Sequence, residues 1–208
     1  MDMRKKRSSG WFVVGAVTAL LAASGTASAA TLITLDVGGG NVLLLGARGV
    51  DVGGELLNVD FVDGTCTGLF GDCNDPSTDF FFTNETDAFA ASQALLDEVF
   101  IDGPDGPFDA AGSFTFGCPS ATGFCEALTP YGLTRNVLTA RAANSFDELN
   151  DLVSTRRVAR SYDTADGMGA ANTVWAIWSP VPEPGTALLL GLGLAGLSSV
   201  SGARRRVE

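Results

Sequence analysis

The 208-residue chain has no histidine. Its only lysines, Lys5 and Lys6, stand near the amino terminus, and none follows. These two absences remove Ser-His-Asp, Cys-His and Ser-Lys nucleophile activation, because no base remains to take the proton. They also remove histidine-based zinc and iron sites, Schiff-base chemistry and the lysine of a phosphate loop. Gly38-Gly39-Gly40 lacks the phosphate-loop pattern and reads as a turn. Positive charge is scarce as well. Between Ala30 and Pro184 the only basic residues are Arg48, Arg135, Arg141, Arg156, Arg157 and Arg160. The same span holds 22 of the 24 acidic residues, a net charge of −16 against those six arginines. Such a body repels nucleic acid and anionic lipid surfaces, so no nucleic-acid partner is expected. The bland reading of the charge is solubility.

The remaining basic residues gather at the ends. Arg4-Lys5-Lys6-Arg7 precedes an apolar run from Trp11 to Ala23, and Ala27-Ser28-Ala29 follows as a small-x-small site. This is the three-part plan of a secretory signal peptide over residues 1–29, with signal peptidase expected to cut after Ala29. The apolar run is too short to cross a hydrocarbon core about 30 Å thick. At the other end, residues 186–203 carry no charge and Arg204-Arg205-Arg206 follows at once. Eighteen helical residues reach about 27 Å, near the lower limit for a transmembrane helix. Arginines flanking such a stretch stay in the cytoplasm, so residues 30–180 are expected to face outward.

Just before that stretch stands Val181-Pro182-Glu183-Pro184-Gly185. The two prolines oppose helix and hold the segment extended, as a processing enzyme requires. Pro182-Glu183-Pro184, an apolar glycine-containing stretch and a terminal arginine cluster together resemble the PEP-CTERM sorting signal of Gram-negative bacteria, over residues 181–208. The resemblance implies recognition by an exosortase, a membrane cysteine protease-like transpeptidase, and cleavage near Pro182-Glu183-Pro184. It also implies an association with exopolysaccharide and biofilm matrix. The expected route is export, a transient inner-membrane anchor through the C-terminal helix, then the cell surface or extracellular matrix. The body is similar to a recurrent type of PEP-CTERM protein without assigned activity, through stretches such as Val59-Asp60-Phe61-Val62-Asp63-Gly64-Thr65-Cys66 and Val174-Trp175-Ala176-Ile177-Trp178. That similarity brings no catalytic residues with it.

Residues 30–180 read as one exported domain. Thr31–Val37 and Asn41–Ala47 predict strands, and residues 57–62 alternate with period two, which turns Leu57, Val59 and Phe61 toward a core. Residues 80–82, 113–116, 135–140, 156–162 and 173–178 are further strand candidates. Residues 87–100 predict a helix with Phe89, Leu95, Leu96 and Val99 on its apolar face. Ser145-Phe146-Asp147-Glu148 is a capping box that predicts a second helix to about Val153. The expectation is a mainly-β, α+β, β-sandwich-like domain with two short helices.

The four cysteines, Cys66, Cys73, Cys118 and Cys125, form two Cys-x6-Cys pairs. Export favours disulfides. Three connectivities exist, and local closure of Cys66–Cys73 and Cys118–Cys125 costs the least chain entropy. Zinc would need shorter spacings. Calcium takes oxygen donors from acidic loops, and two loops have the composition: Asp72, Asn74 and Asp75 with Asp79 nearby, and Asp102, Asp105 and Asp109. Neither follows the EF-hand pattern, and the ordinary reading of both is solvated turn residues. Trp175 and Trp178 fall on opposite faces of the last strand, where one is placed to stack on a sugar. Asn84-Glu85-Thr86 fits the N-glycosylation triplet. No catalytic residue is assigned. The leading expectation is a non-enzymatic surface or matrix protein. A calcium- or carbohydrate-binding module and a carboxylate-based glycan hydrolase are the rivals.

Overall fold

A computed structural model describes residues 29–119, 123–146, 151–165 and 172–182. Seven strands form one hydrogen-bonded sheet: β1 (Thr31–Gly38), β2 (Asn41–Val52), β3 (Glu55–Val62), β6 (Cys125–Leu133), β7 (Val137–Asn144), β8 (Leu152–Val158) and β9 (Thr173–Pro180). Their order across the sheet is β1-β2-β3-β9-β6-β7-β8. The domain is mainly β, as expected. The strands lie in one sheet, however, and not in the two facing sheets of a sandwich. Helices and loops, in place of a second sheet, cover its faces.

The first three strands are joined by tight glycine turns. Val52 and Glu55 face each other across the β2–β3 hairpin, so Gly53-Gly54 is a two-residue loop, and both glycines have positive φ. That backbone matches strand twist and suits residues without a Cβ. β2 runs five residues past its expected end at Ala47. A Cβ on Gly46 would lie 2.2 Å from the Val59 carbonyl oxygen, so this glycine permits close strand approach and does not break the strand. Leu57, Val59 and Phe61 are buried, as their alternation predicts.

β9 closes the sheet. It pairs antiparallel with β3, and its first residues, Thr173 to Trp175, pair parallel with β6. Residues Thr173 to Ala176 are all buried, because both faces of the sheet are covered here.

One face lies under α3 (Glu85–Ala94) and the single π-helical turn that continues it, Leu95–Val99. Asn84 caps α3 by accepting from the Asp87 amide at 3.0 Å. Glu85 and Asp87 in the first turn complement the helix dipole. The buried face is Ala88, Ala91, Ser92 and Ala94, then Leu95 and Val99, whereas Phe89 and Leu96 are only partly buried. Alanines let the helix approach the sheet closely. The wider turn ends with the Phe100 amide donating to the Leu95 carbonyl at 2.8 Å, and Phe100 stacks on Phe61 with centroids 5.5 Å apart.

The other face is covered by α1 (Cys66–Leu69) and α2 (Pro76–Asp79). The Cys66–Cys73 disulfide ties this segment, and Cys118–Cys125 ties the chain entering β6. Both links are the local ones. Phe70 meets Trp175 edge-on at 5.5 Å and Phe80 at 5.6 Å.

Three local expectations are corrected. Residues 80–82 form a loop, in which Phe80 and Phe82 are buried and Phe81 is exposed. Their aromatic content reflects cover for the sheet, not strand pairing. Residues 112–114 form a 3-10 turn, and only Thr115 bridges to β2 through Leu44. The helix expected from Ser145 does not reach Val153, because Leu152 already begins β8. Residues 147–150 of that expectation lie outside the described residues.

Candidate functional site

β9 delivers the chain to the predicted processing motif. Its first residues pair with β6, Trp175 pairs with both neighbours, and its outer end rests on β3, where Leu57 faces Pro180 and the Asn58 side-chain amide donates to the Pro180 carbonyl at 3.4 Å. Trp178, two residues earlier, is buried: its indole N–H donates to Thr129 Oγ1 at 3.2 Å, and Phe82 meets its ring edge-on at 5.8 Å. Val181 is half-buried and Pro182 is exposed. The chain thus passes from packed core to solvent within four residues. Glu183, Pro184 and the expected helix 186–203 lie outside the described residues. Among the described residues no helix is long and apolar enough to cross a membrane.

The other predicted junction is Ala27–Ala29. Ala27 lies outside the described residues, while Ala29 is exposed two positions before β1 begins.

The acidic loops form two separate arrangements. Asp79 accepts from the Asn74 and Asp75 amides at 2.8 and 3.0 Å, and Asp75 caps α2 by accepting from the Ser77 amide at 3.0 Å. The Asp75 and Asn74 amides hold the Asp79 carboxyl below the usual carboxylate range. Asp72 is exposed. In the second loop, Asp102 accepts from the Asp109 and Ala110 amides at 3.0 and 3.1 Å. Asp105 sits in the turn between the two-residue strands β4 (Asp102–Gly103) and β5 (Gly106–Pro107). Asp102 and Asp109 line a cleft of about 500 Å³ with Asp97 and Asp151. Among the described residues no three His, Cys, Asp or Glu side chains are grouped as a metal ion would require.

Trp175 and Trp178 do lie on opposite faces, but both are buried. The Trp175 indole donates to the Gly64 carbonyl at 2.9 Å. Neither ring offers a face to a sugar. Asn84 of the glycosylation triplet is the α3 cap.

One constellation escaped the sequence reading. Glu126 on β6 receives Arg141 of β7 at 2.5 Å and is also paired with Arg156 of β8. Arg156 lies over the Tyr162 ring, 5.4 Å from its centroid, and donates to the Tyr162 hydroxyl at 3.2 Å. Arg141 Nε donates to Ser154 Oγ at 3.0 Å. Burial pulls the Arg141 guanidinium below its ordinary pKa, and arginine remains charged at neutral pH. The cluster ties three adjacent strands and leaves one surplus positive charge. Its sequence signal lies in β7 and β8, where Thr139 and Arg141, and Ser154 and Arg156, stand at alternate positions; around Glu126 the same face of β6 carries Leu128 and Pro130 and gives none.

A search of the curated proteins and of the solved structures gives no match to the chain. The model of the PEP-CTERM protein-sorting motif matches residues 180–206. The match begins at the last residue of β9. The motif implies an exported, membrane-transiting surface protein that an exosortase processes. The chain therefore carries a PEP-CTERM protein-sorting motif, and its β domain runs straight into it.

Proposed function

We propose that this chain is a non-enzymatic constituent of the cell surface or exopolysaccharide matrix, made as a precursor and trimmed at both ends. Signal peptidase removes residues 1–29. An exosortase then acts near Pro182-Glu183-Pro184, after residues 186–203 have held the chain at the inner membrane. Residues 30–180 are the delivered cargo.

The observation that carries this reading is the exposed Pro182, two residues beyond a strand locked into the sheet. A processing enzyme needs an extended peptide, and proline supplies one here without unfolding the domain. The body supports a scaffold role, since it lacks histidine and lysine and uses two disulfides to hold its loops. Matrix proteins meet oxidising surroundings without chaperones, where such links persist.

Replacing Pro182-Glu183-Pro184 by three alanines tests the reading by cell fractionation. The variant is expected to remain in the membrane fraction at precursor size, while the parent appears processed at the surface. Identical distribution and size for the two would overturn exosortase handling.

A further inference from the structure

Among the described residues both edges of the seven-stranded sheet are unpaired. β1 bonds only to β2, and β8 only to β7. Strand directions follow from the pairings: β1 to β2, β2 to β3 and β3 to β9 are antiparallel, β9 to β6 is parallel, and β6 to β7 and β7 to β8 are antiparallel. Followed across the sheet, β8 therefore runs opposite to β1. A second copy placed in the same orientation beside the first would bring β8 against β1 as an antiparallel pair.

Charge is divided along the same axis. β1, β2 and β3 hold one arginine, Arg48, against Asp36, Asp51, Glu55 and Asp60. β6, β7 and β8 hold Arg141, Arg156 and Arg157 against Glu126 alone. The strands at one edge thus carry net −3 and those at the other net +2, although the body as a whole is strongly anionic. Two β1 edges meeting would set acid against acid, and two β8 edges arginine against arginine. Only β8 against β1 is complementary.

Protection of the two edges is partial. Natural edge strands are blunted by charged side chains, proline, bulges or inward charge, and here β8 has Arg157 exposed and Arg156 turned to Glu126. β1 has neither lysine nor proline, and its exposed apolar side chains are Leu35 at 50% and Val37 at 55%. On β8, Leu152 is 43% exposed. The two bulges of β1, at Ile33/Thr34 and Asp36/Gly38, still leave straight runs between them.

We propose that exported copies of this chain join head to tail, β8 of one adding antiparallel to β1 of the next, into an open-ended assembly. The contact is heterologous, so nothing in it stops at a dimer. Sorting is not needed for this inference.

The test is sedimentation velocity of the exported chain, extracted from producing cells, across a concentration range at low salt. Two variants block opposite edges: Leu35→Lys on β1 and Arg157→Glu on β8, the latter also exposed. The parent is expected to give a ladder of masses beyond dimer, collapsing in high salt. Each variant alone is expected to remain monomeric. Their equimolar mixture has one usable edge on each partner and is expected to stop at twice the monomer mass. If Leu35→Lys lowers the melting temperature, Val37→Lys replaces it. A parent that is monomeric throughout overturns the proposal, as does Arg157→Glu forming dimers by itself, which would mean β1 pairing with β1.

Discussion

Asp63 is poorly accommodated in the domain. Its Oδ1 is buried without a hydrogen-bond partner, and a Cβ added to Gly117 would sit 2.5 Å from it. Desolvation raises its pKa, Asp163 adds to the rise, and a bond from Thr164 opposes it. A carboxyl whose folded pKa exceeds its unfolded value binds more protons when folded. Stability from this residue is then full below the unfolded pKa and is lost as pH rises through the folded one. Asp63→Asn removes the penalty. The variant is expected to melt above the parent at pH 7, with the difference shrinking toward pH 4, in thermal scans across that range. An equal difference at both pH values would assign the effect to packing.

At the level of single strands, what could be read depended on how many faces each buries. β3 has one wet edge of alternation and was legible. β6 was not. Its first seven residues are all buried, and Pro130 and Gly132 interrupt it. The irregular register between those two residues shows how the proline is accommodated, at a bulge. The charged tie across β6, β7 and β8 went unseen with it. Glu126→Gln leaves two guanidinium groups, 25% and 29% exposed, facing a neutral amide. The expected cost is about 2 kcal/mol in urea unfolding, below the full penalty for breaking a buried pair because both arginines reach solvent. Replacing all three residues by apolar ones of similar size is expected to cost less than that single change. The helix at 87–100 was legible in place and half of its contact face with it: Leu95 and Val99 are buried as expected, whereas Phe89 and Leu96 are only partly buried and the small Ala88, Ala91 and Ala94 carry the rest.

For the molecule as a whole, the β class and the sorting motif at residues 180–206 were legible in local pattern, and the strand order rests on long-range pairing. Nothing local in residues 173–180 says that this strand enters between β3 and β6. That insertion joins chain segments more than 100 residues apart, as the Gly64 and Trp175 contact does. It also makes late-synthesised sequence essential to the sheet: β3 and β6 have no other link in the strand order. The domain therefore cannot complete its sheet until β9 has emerged beside the sorting motif. A chain truncated after Tyr162 is expected to lose cooperative melting altogether, read by circular dichroism, whereas one ending at Val181 keeps it.

The abutment of β9 and the motif also fixes a clearance. Five residues, 181–185, separate Pro180 from the first residue of the uncharged stretch. Fully extended, five residues span at most about 18 Å, less than the width of a domain of this size, whose radius of gyration alone is about 15 Å. On the route proposed above, with residues 186–203 in the membrane, an exosortase would meet the folded domain close above the peptide it cuts. Lengthening this leash with ten glycine and serine residues is expected to quicken precursor conversion in a pulse–chase; an unchanged rate would mean that headroom does not limit the step.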